Sequence, residues 1–353
     1  MHRSPLLRAA GNARTRGMPE QCEDRIVDVG GVPILLEAED ACRANAVAVL
    51  LAGLAPSERA PAATIRYVRD PPPLPRRDPD QVYDDMRIWR GDELFLQYAS
   101  DVRARVTDRE AHVGGGSEHL EISFARLFHP AVTHILAGHD RFVLHAAAFA
   151  DRGIAFLALG ATGSGKSTLS LSALHAGWQL LADDLVVLRQ GAHSVEVAGI
   201  ARRTALPGDV RSHVLGECRP LLDDDRGRWE LPPHRLARGW FPLAGVVLPA
   251  HGSGARGELR RSNPMSVFER ALGSFTSVAD ATRGRRFLPC AAAVARLAGF
   301  ELRLAADPTI RIEEAATLLE DVAGAARGPA HGGAGGDGAK RTGARPCAPA
   351  APG

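Results

Sequence analysis

One stretch of this sequence has the residue types and spacing to hold a chain of phosphates. Gly160-Ala161-Thr162-Gly163-Ser164-Gly165-Lys166-Ser167 fits G-x-x-x-x-G-K-[ST] at every fixed position. Glycines let the backbone curl until successive N–H groups face an anion, and the positive end of a following helix adds to the attraction. Lys166 can reach the β- and γ-phosphates of a nucleotide, the Ser167 hydroxyl can ligate Mg²⁺, and Thr168 extends the binding segment to residues 160–168. Lysine is scarce in this chain: of 43 basic residues only Lys166 and Lys340 are lysines. Arginine serves wherever a positive charge alone suffices, so Lys166 marks a place that needs a compact, flexible ammonium.

The second element is Asp183-Asp184 within Leu180-Leu181-Ala182-Asp183-Asp184-Leu185-Val186-Val187-Leu188. Two carboxylates inside so apolar a run are costly unless they meet a cation. A magnesium ion beside Ser167 meets that need. Neighbours on a strand point to opposite faces, so the pair serves one site only if the strand twists or ends there. The third element is His145. A hairpin turning at Asp151-Arg152-Gly153 with Ala150 opposite Ile154 sets His145 opposite Leu159, just before the loop begins.

The elements that must position these groups follow from period and punctuation. Residues 1–22 read as a disordered leader, and the Gly/Ala/Pro-rich segment 327–353 as a disordered tail. Residues 23–140 read as a smaller α+β docking or substrate-presenting domain. It has a Gly30-Gly31 hairpin, a helix over Ala41–Leu54 and strands at Thr64–Arg69, Met86–Arg90, Leu94–Tyr98 and Val102–Thr107. A helix over Glu118–Ala137 follows, interrupted by Pro130. Residues 141–326 read as an α/β domain, a mixed sheet with flanking helices. Its strands are Phe142–Ala150, Ile154–Leu159, Gln179–Leu188, Leu243–Leu248, Glu258–Arg260 and Phe300–Leu304. Its helices are Ser167–Ala176, one capped by Asn263-Pro264, Ala291–Leu297 and Ile312–Val322.

Composition bounds the answer. Apolar residues make up 45%, enough for a sizeable core, and 43 basic against 41 acidic residues leave a net +2. Such a balance argues against nucleic acid or an anionic membrane as a general partner. No apolar run has the length of a bilayer span, and the N-terminus lacks a secretory h-region, so a cytoplasmic location is expected. Five scattered cysteines without C-x-x-C fit neither a disulfide framework nor a zinc site.

Together, His145, the loop Gly160–Ser167 and Asp183-Asp184 resemble the nucleotide site in the C-terminal domain of HPr kinase/phosphorylase. His145 precedes Gly160 by 15 residues and Lys166 precedes Asp183 by 17, and the segment from His175 to Asp184 strengthens the likeness. The resemblance implies a P-loop kinase fold of that type, with ATP and Mg²⁺ as cofactors. It implies Asp183 as the base facing an acceptor serine of a protein or peptide, Lys166 and His145 beside the transferred phosphate, and Ser167 and Asp184 as metal holders. It also implies a possible homo-oligomer. The Gly-rich signature that the bifunctional enzymes carry after the aspartates is replaced here by Glu196-Val197-Ala198-Gly199-Ile200. The chain therefore looks more like diverged relatives, some of which resemble peptide or protein serine kinases. Glu196 is a candidate accessory carboxylate, and the Arg202-Arg203 and Arg226–Arg228 loops are candidate γ-phosphate contacts. Asp223–Asp225 reads as a loop charge cluster, and Trp229 and Trp240 as packing groups. Two other readings stay open: a kinase for a small hydroxyl metabolite, and a non-catalytic ATP-binding switch.

Overall fold

The computed structural model describes residues 24–51, 54–83, 85–99, 101–115, 120–200, 205–206, 219–220, 229–231, 233–276 and 281–327. The expected leader, nearly all of the expected tail, the Arg202-Arg203, Asp223–Asp225 and Arg226–Arg228 loops and the Trp229 side chain lie outside them.

Two large mixed sheets organise the chain, with six α-helices among the described residues. The first contains β1 (Arg25–Val29), β2 (Val32–Ala38), β3 (Ala55–Pro56), β4 (Ala63–Val68), β5 (Gln81–Tyr83), β6 (Met86–Trp89), β7 (Leu94–Tyr98), β8 (Val102–Val106) and β9 (Glu110–Gly115). Their order is β3-β1-β2-β4-β9-β8-β7-β6-β5. Gly30 and Gly31 both take positive φ (56° and 78°), as a two-residue hairpin turn demands. Helix α1 (Ala41–Leu51) links β2 to the parallel strand β4. Helix α2 (Leu120–Gly138) runs through Pro130 rather than being interrupted by it. Proline inside a helix costs ~3 kcal/mol. Leu127, Phe128, Ala131 and Val132 are buried around it, and each large apolar side chain so buried contributes about 1.5–3 kcal/mol. Burial wins.

The second sheet draws on β10 (Phe142–His145), β11 (Ala147–Asp151), β12 (Ile154–Ala158), β13 (Gln179–Ala182), β14 (Leu185–Gln190) and β15 (Val195–Gly199). After three two-residue strands that form a small sheet, β16 (Ala205–Leu206), β17 (Arg219–Pro220) and β18 (Trp229–Glu230), come β19 (Phe241–His251), β20 (Glu258–Arg261) and β21 (Ala298–Leu304). The order is β10-β14-β15-β19-β12-β11-β13, with β21 beside β19 and β20 beside β21. Strands β12, β19 and β21 are mutually parallel. Side chains alternate across β12. Ala155 and Leu157 face α4 (Pro264–Ser274) and α5 (Ala281–Ala295), whereas Phe156 and Ala158 face α3 (Lys166–His175) and α6 (Pro308–Arg327). Apolar residues on both faces are what a parallel strand covered on each side requires. Asn263 caps α4 as expected, its side-chain oxygen accepting from Ser266 N at 2.8 Å. Helices α5 and α6 start earlier than the sequence suggested, and α6 carries on to Arg327, which pairs with Asp151 instead of opening a tail.

Three expectations about the strands around the aspartates change. The β11–β12 turn uses Arg152 (φ 48°) and Gly153 (φ 82°), so Asp151 pairs with Ile154 and the register moves by one residue. Phe142–Ala150 and Gln179–Leu188 are not continuous strands. The first breaks at Ala146 and the second at Asp183-Asp184, and Ala146 N–H donates to Asp184 C=O at 3.0 Å across the paired breaks. His145 consequently faces Leu185 of β14, not Leu159.

The two sheets also share apolar packing. Val143, Leu185 and Val187 join the cluster built by the first sheet and α2, and the Gly30 turn abuts Val187. Close to the aspartates, a Cβ added at Gly199 would lie 1.9 Å from the Leu181 carbonyl oxygen, whereas one at Gly177 (φ 82°) would meet nothing within 4 Å. Gly199→Ala is expected to cost about 3 kcal/mol through a backbone clash. Gly177→Ala should cost about 1 kcal/mol, from its left-handed φ alone. Urea unfolding of the two variants checks the ranking.

Candidate functional site

The sheet topology sets the groups together. Strand β11 is antiparallel to both β12 and β13, so β13 runs parallel to β12 and both end at the same edge of the sheet. The loop 159–165 leaves β12 there and enters α3 at Lys166. Gly163 (φ 78°) and Gly165 (φ 108°) take the left-handed conformation, and Gly165 forms the N-cap of α3. At Gly160 a Cβ would lie 2.3 Å from Ser164 Oγ, so a side chain there would require that hydroxyl to turn away. Lys166 is buried at 7% exposure, its ammonium donating to the carbonyls of Gly160 (2.9 Å) and Ala161 (3.1 Å). The lysine therefore lies folded along the inside of its own loop.

Asp183 stands directly beside the start of α3. Ser167 Oγ donates to its Oδ2 at 3.1 Å, and Ser170 Oγ donates to its Oδ1 at 2.6 Å. A bulge in the β11–β13 ladder between Ala148 and Phe149 precedes this point, and β13 ends at Ala182. Bulges re-aim the chain in this way. The strand thus ends where the sequence required it to if both aspartates are to serve one place. Asp184 is exposed, and its Oδ1 lies 2.8 Å from His145 Nδ1. Loop, Lys166, Ser167, Asp183, Asp184 and His145 form one contiguous set.

Burial pushes the Asp183 carboxyl above the ordinary carboxylate value. The Ser170 and Ser167 hydroxyls pull it back down, Asp184 pushes it up and Lys166 draws it down. Burial likewise lowers Lys166, against the field of Asp184 and Asp183. Each charge is short of water and answered in part by the other. Ser167, Asp183 and Asp184 offer only hard oxygen donors, which suits Mg²⁺. Among the described residues no three His, Cys, Asp or Glu side chains gather as a metal-holding group. A magnesium ion here would complete its shell with phosphate oxygens and water, its usual habit.

Glu196 belongs elsewhere. It lies opposite Arg189 across β14–β15 and pairs with it at 2.5 Å, while Arg189 stacks over Trp240 at 4.2 Å. Trp240 packs against the first core cluster, as expected of a packing residue. Two residues at the site were not foreseen. Ser170 sits one helical turn beyond Ser167, a spacing of three that puts both on one helix face. His251 closes β19, the parallel neighbour of β12, and its Nε2 lies 2.7 Å from the Gly163 carbonyl oxygen. Because a carbonyl only accepts, Nε2 donates. The carboxyl ends of parallel strands are where ligands of such sheets gather, which is the one clue the sequence held for His251.

No family model matches the chain, and no curated protein matches it in sequence. Among solved structures it resembles the HPr(Ser) kinase/phosphatase from Coxiella burnetii, at 12% identity and a TM-score of 0.29. The likeness covers 53% of this chain and 99% of that one. So slight a likeness assigns nothing. No described helix is long and apolar enough to cross a membrane.

Asp183 also gives a stability test with a defined sign. A carboxyl raised above its unfolded value stabilises the fold below that ordinary value, 3.8, and the contribution is lost as pH rises through the raised value. Without nucleotide or metal, Asp183→Asn is therefore expected to be more stable than wild type at about pH 7, the gap closing toward about pH 4. Urea midpoints across that range measure it.

Proposed function

We propose that this chain is an ATP- and Mg²⁺-dependent phosphotransferase that moves the γ-phosphate to a serine hydroxyl of a protein or peptide. The observation that carries the reading is the placement of the Asp183 carboxylate 3.1 Å from the Ser167 hydroxyl, at the mouth of a glycine loop that holds a buried ammonium. Phosphoryl transfer asks a protein for alignment and charge neutralisation rather than covalent chemistry, and this set offers both.

In this reading the segment 160–168 is a P-loop whose amides hold the triphosphate. Lys166 exchanges the carbonyls of Gly160 and Ala161 for phosphate oxygens, a swap favoured because its charge is poorly solvated where it lies. Ser167 and Asp184 would hold Mg²⁺, which when bound would offset the charge on the phosphates. A carboxylate oxygen has two lone-pair sites, so Asp183 Oδ2 can accept from Ser167 and from an incoming hydroxyl together. As the acceptor oxygen bonds to the γ-phosphorus, its proton passes to Asp183. The bond from that phosphorus to the bridging oxygen breaks, its electron pair leaving on ADP. His145, held by Asp184, lies beside the transferred group. Serine as acceptor rests on the sequence resemblance.

The test is transfer of label from γ-labelled ATP into a cell lysate, with mass spectrometry of the product. Wild type is expected to give a phosphoserine polypeptide, and Lys166→Ala to give none. Asp183→Asn should bind ATP yet transfer roughly 10²–10⁴-fold more slowly, the usual contribution of a general base. A labelled small molecule would replace the acceptor with a metabolite. Full biological activity in Asp183→Asn would replace the kinase with a switch.

A further inference from the structure

Helix α3 buries two serines two residues apart, Ser170 and Ser172, both at 0% exposure. They use their hydroxyls differently. Ser172 Oγ donates to the Thr168 carbonyl at 2.9 Å, the back-bond to residue i−4 that a helical serine ordinarily makes. For Ser170 the corresponding acceptor, the Lys166 carbonyl, is 3.3 Å away, whereas Asp183 Oδ1 is at 2.6 Å. A hydroxyl has one proton to give, and the shorter contact, to a carboxylate, takes it. Ser170 thus leaves the bond its neighbour keeps and reaches out of the helix to the aspartate.

We propose that Ser170 is the positioning residue for Asp183: by fixing Oδ1 it stops the carboxylate from turning and commits Oδ2 to the reacting hydroxyl. The proposal rests on the kinase reading above. Its physical basis is the rigidity of the anchor. Leu169, Leu171, Ala173 and Leu174 around Ser170 are buried in the core between α3 and the sheet, so its hydroxyl cannot follow a rotating carboxylate. Were the Ser167 hydroxyl drawn toward a metal ion, Ser170 would still hold the carboxylate in place.

Ser172→Ala is the matched control, since it makes the same change at the same burial on the same helix without touching Asp183. Two measurements decide the matter. In urea unfolding without ligand, the stability effects of Ser170→Ala and Asp183→Ala should be non-additive, while those of Ser172→Ala and Asp183→Ala should add. In the transfer assay, Ser170→Ala should lower kcat about ten- to hundredfold, the worth of a hydrogen bond to a charged group, with the KM for ATP changed by less than about twofold. Ser172→Ala should leave kcat as it is. Additive effects for Ser170→Ala and Asp183→Ala would overturn the proposal. So would coupling accompanied by a kcat no lower than that of Ser172→Ala, which would make the contact structural only. If Lys166→Ala binds ATP and transfers phosphate like wild type, the kinase reading itself fails and takes this proposal with it. That outcome is recognisable because it does not depend on either serine.

Discussion

A carboxylate taken out of water must be given other donors, and the arrangement around Asp183 is built to supply them. Two hydroxyls from one face of α3 take its two oxygens, and the ammonium of Lys166 lies within electrostatic reach. Helix, loop and strand end are thereby fixed to one another. A regular strand through this point would turn one of the two aspartates away from the loop. The paired breaks at Ala146 and Asp183-Asp184, joined by one backbone hydrogen bond, are the means by which an apolar sheet delivers two acidic side chains to its edge.

The first sheet is not independent of this edge. Strand β10, which ends at His145, and strand β14, which begins just after Asp184, put Val143, Leu185 and Val187 into the core that α2 and the first sheet create. The Asp108–Arg283 ion pair ties the β8–β9 connection to α5. The stretch of chain that carries His145 and Asp184 is therefore supported from both sides, by its own sheet and by the one before it.

The glycine loop, the lysine, the aspartate pair and the histidine could be picked out from residue types and spacing because the pattern is short and local, and the fold brings them together. Most strands and helices were legible for a similar reason, their apolar periods being strong. What escaped were properties that no local pattern encodes. The shift in register at Arg152-Gly153 depends on which residues accept a positive φ, and arginine gives no hint of doing so. The breaks at Ala146 and Asp183 come from strands that exchange partners, which only the assembled sheet decides. Pro130 reads as an interruption because its local cost is plain in the sequence, whereas the burial that outweighs it depends on strands far away. Ser170 passed as an ordinary helical residue, since its role depends on the direction of one hydroxyl. His251 lies more than eighty residues beyond the loop it touches, and only the parallel pairing of β19 with β12 joins them.

The burial of Lys166 has a consequence for how this molecule meets others. Among the described residues it is the sole lysine, so every other cationic side chain there, histidine aside, is a guanidinium. Reagents and enzymes that acylate or conjugate amines find no side-chain target on that surface. Among the described residues the one side-chain amine is folded into the glycine loop, so its reactivity toward such reagents, read by mass spectrometry, reports the state of that loop.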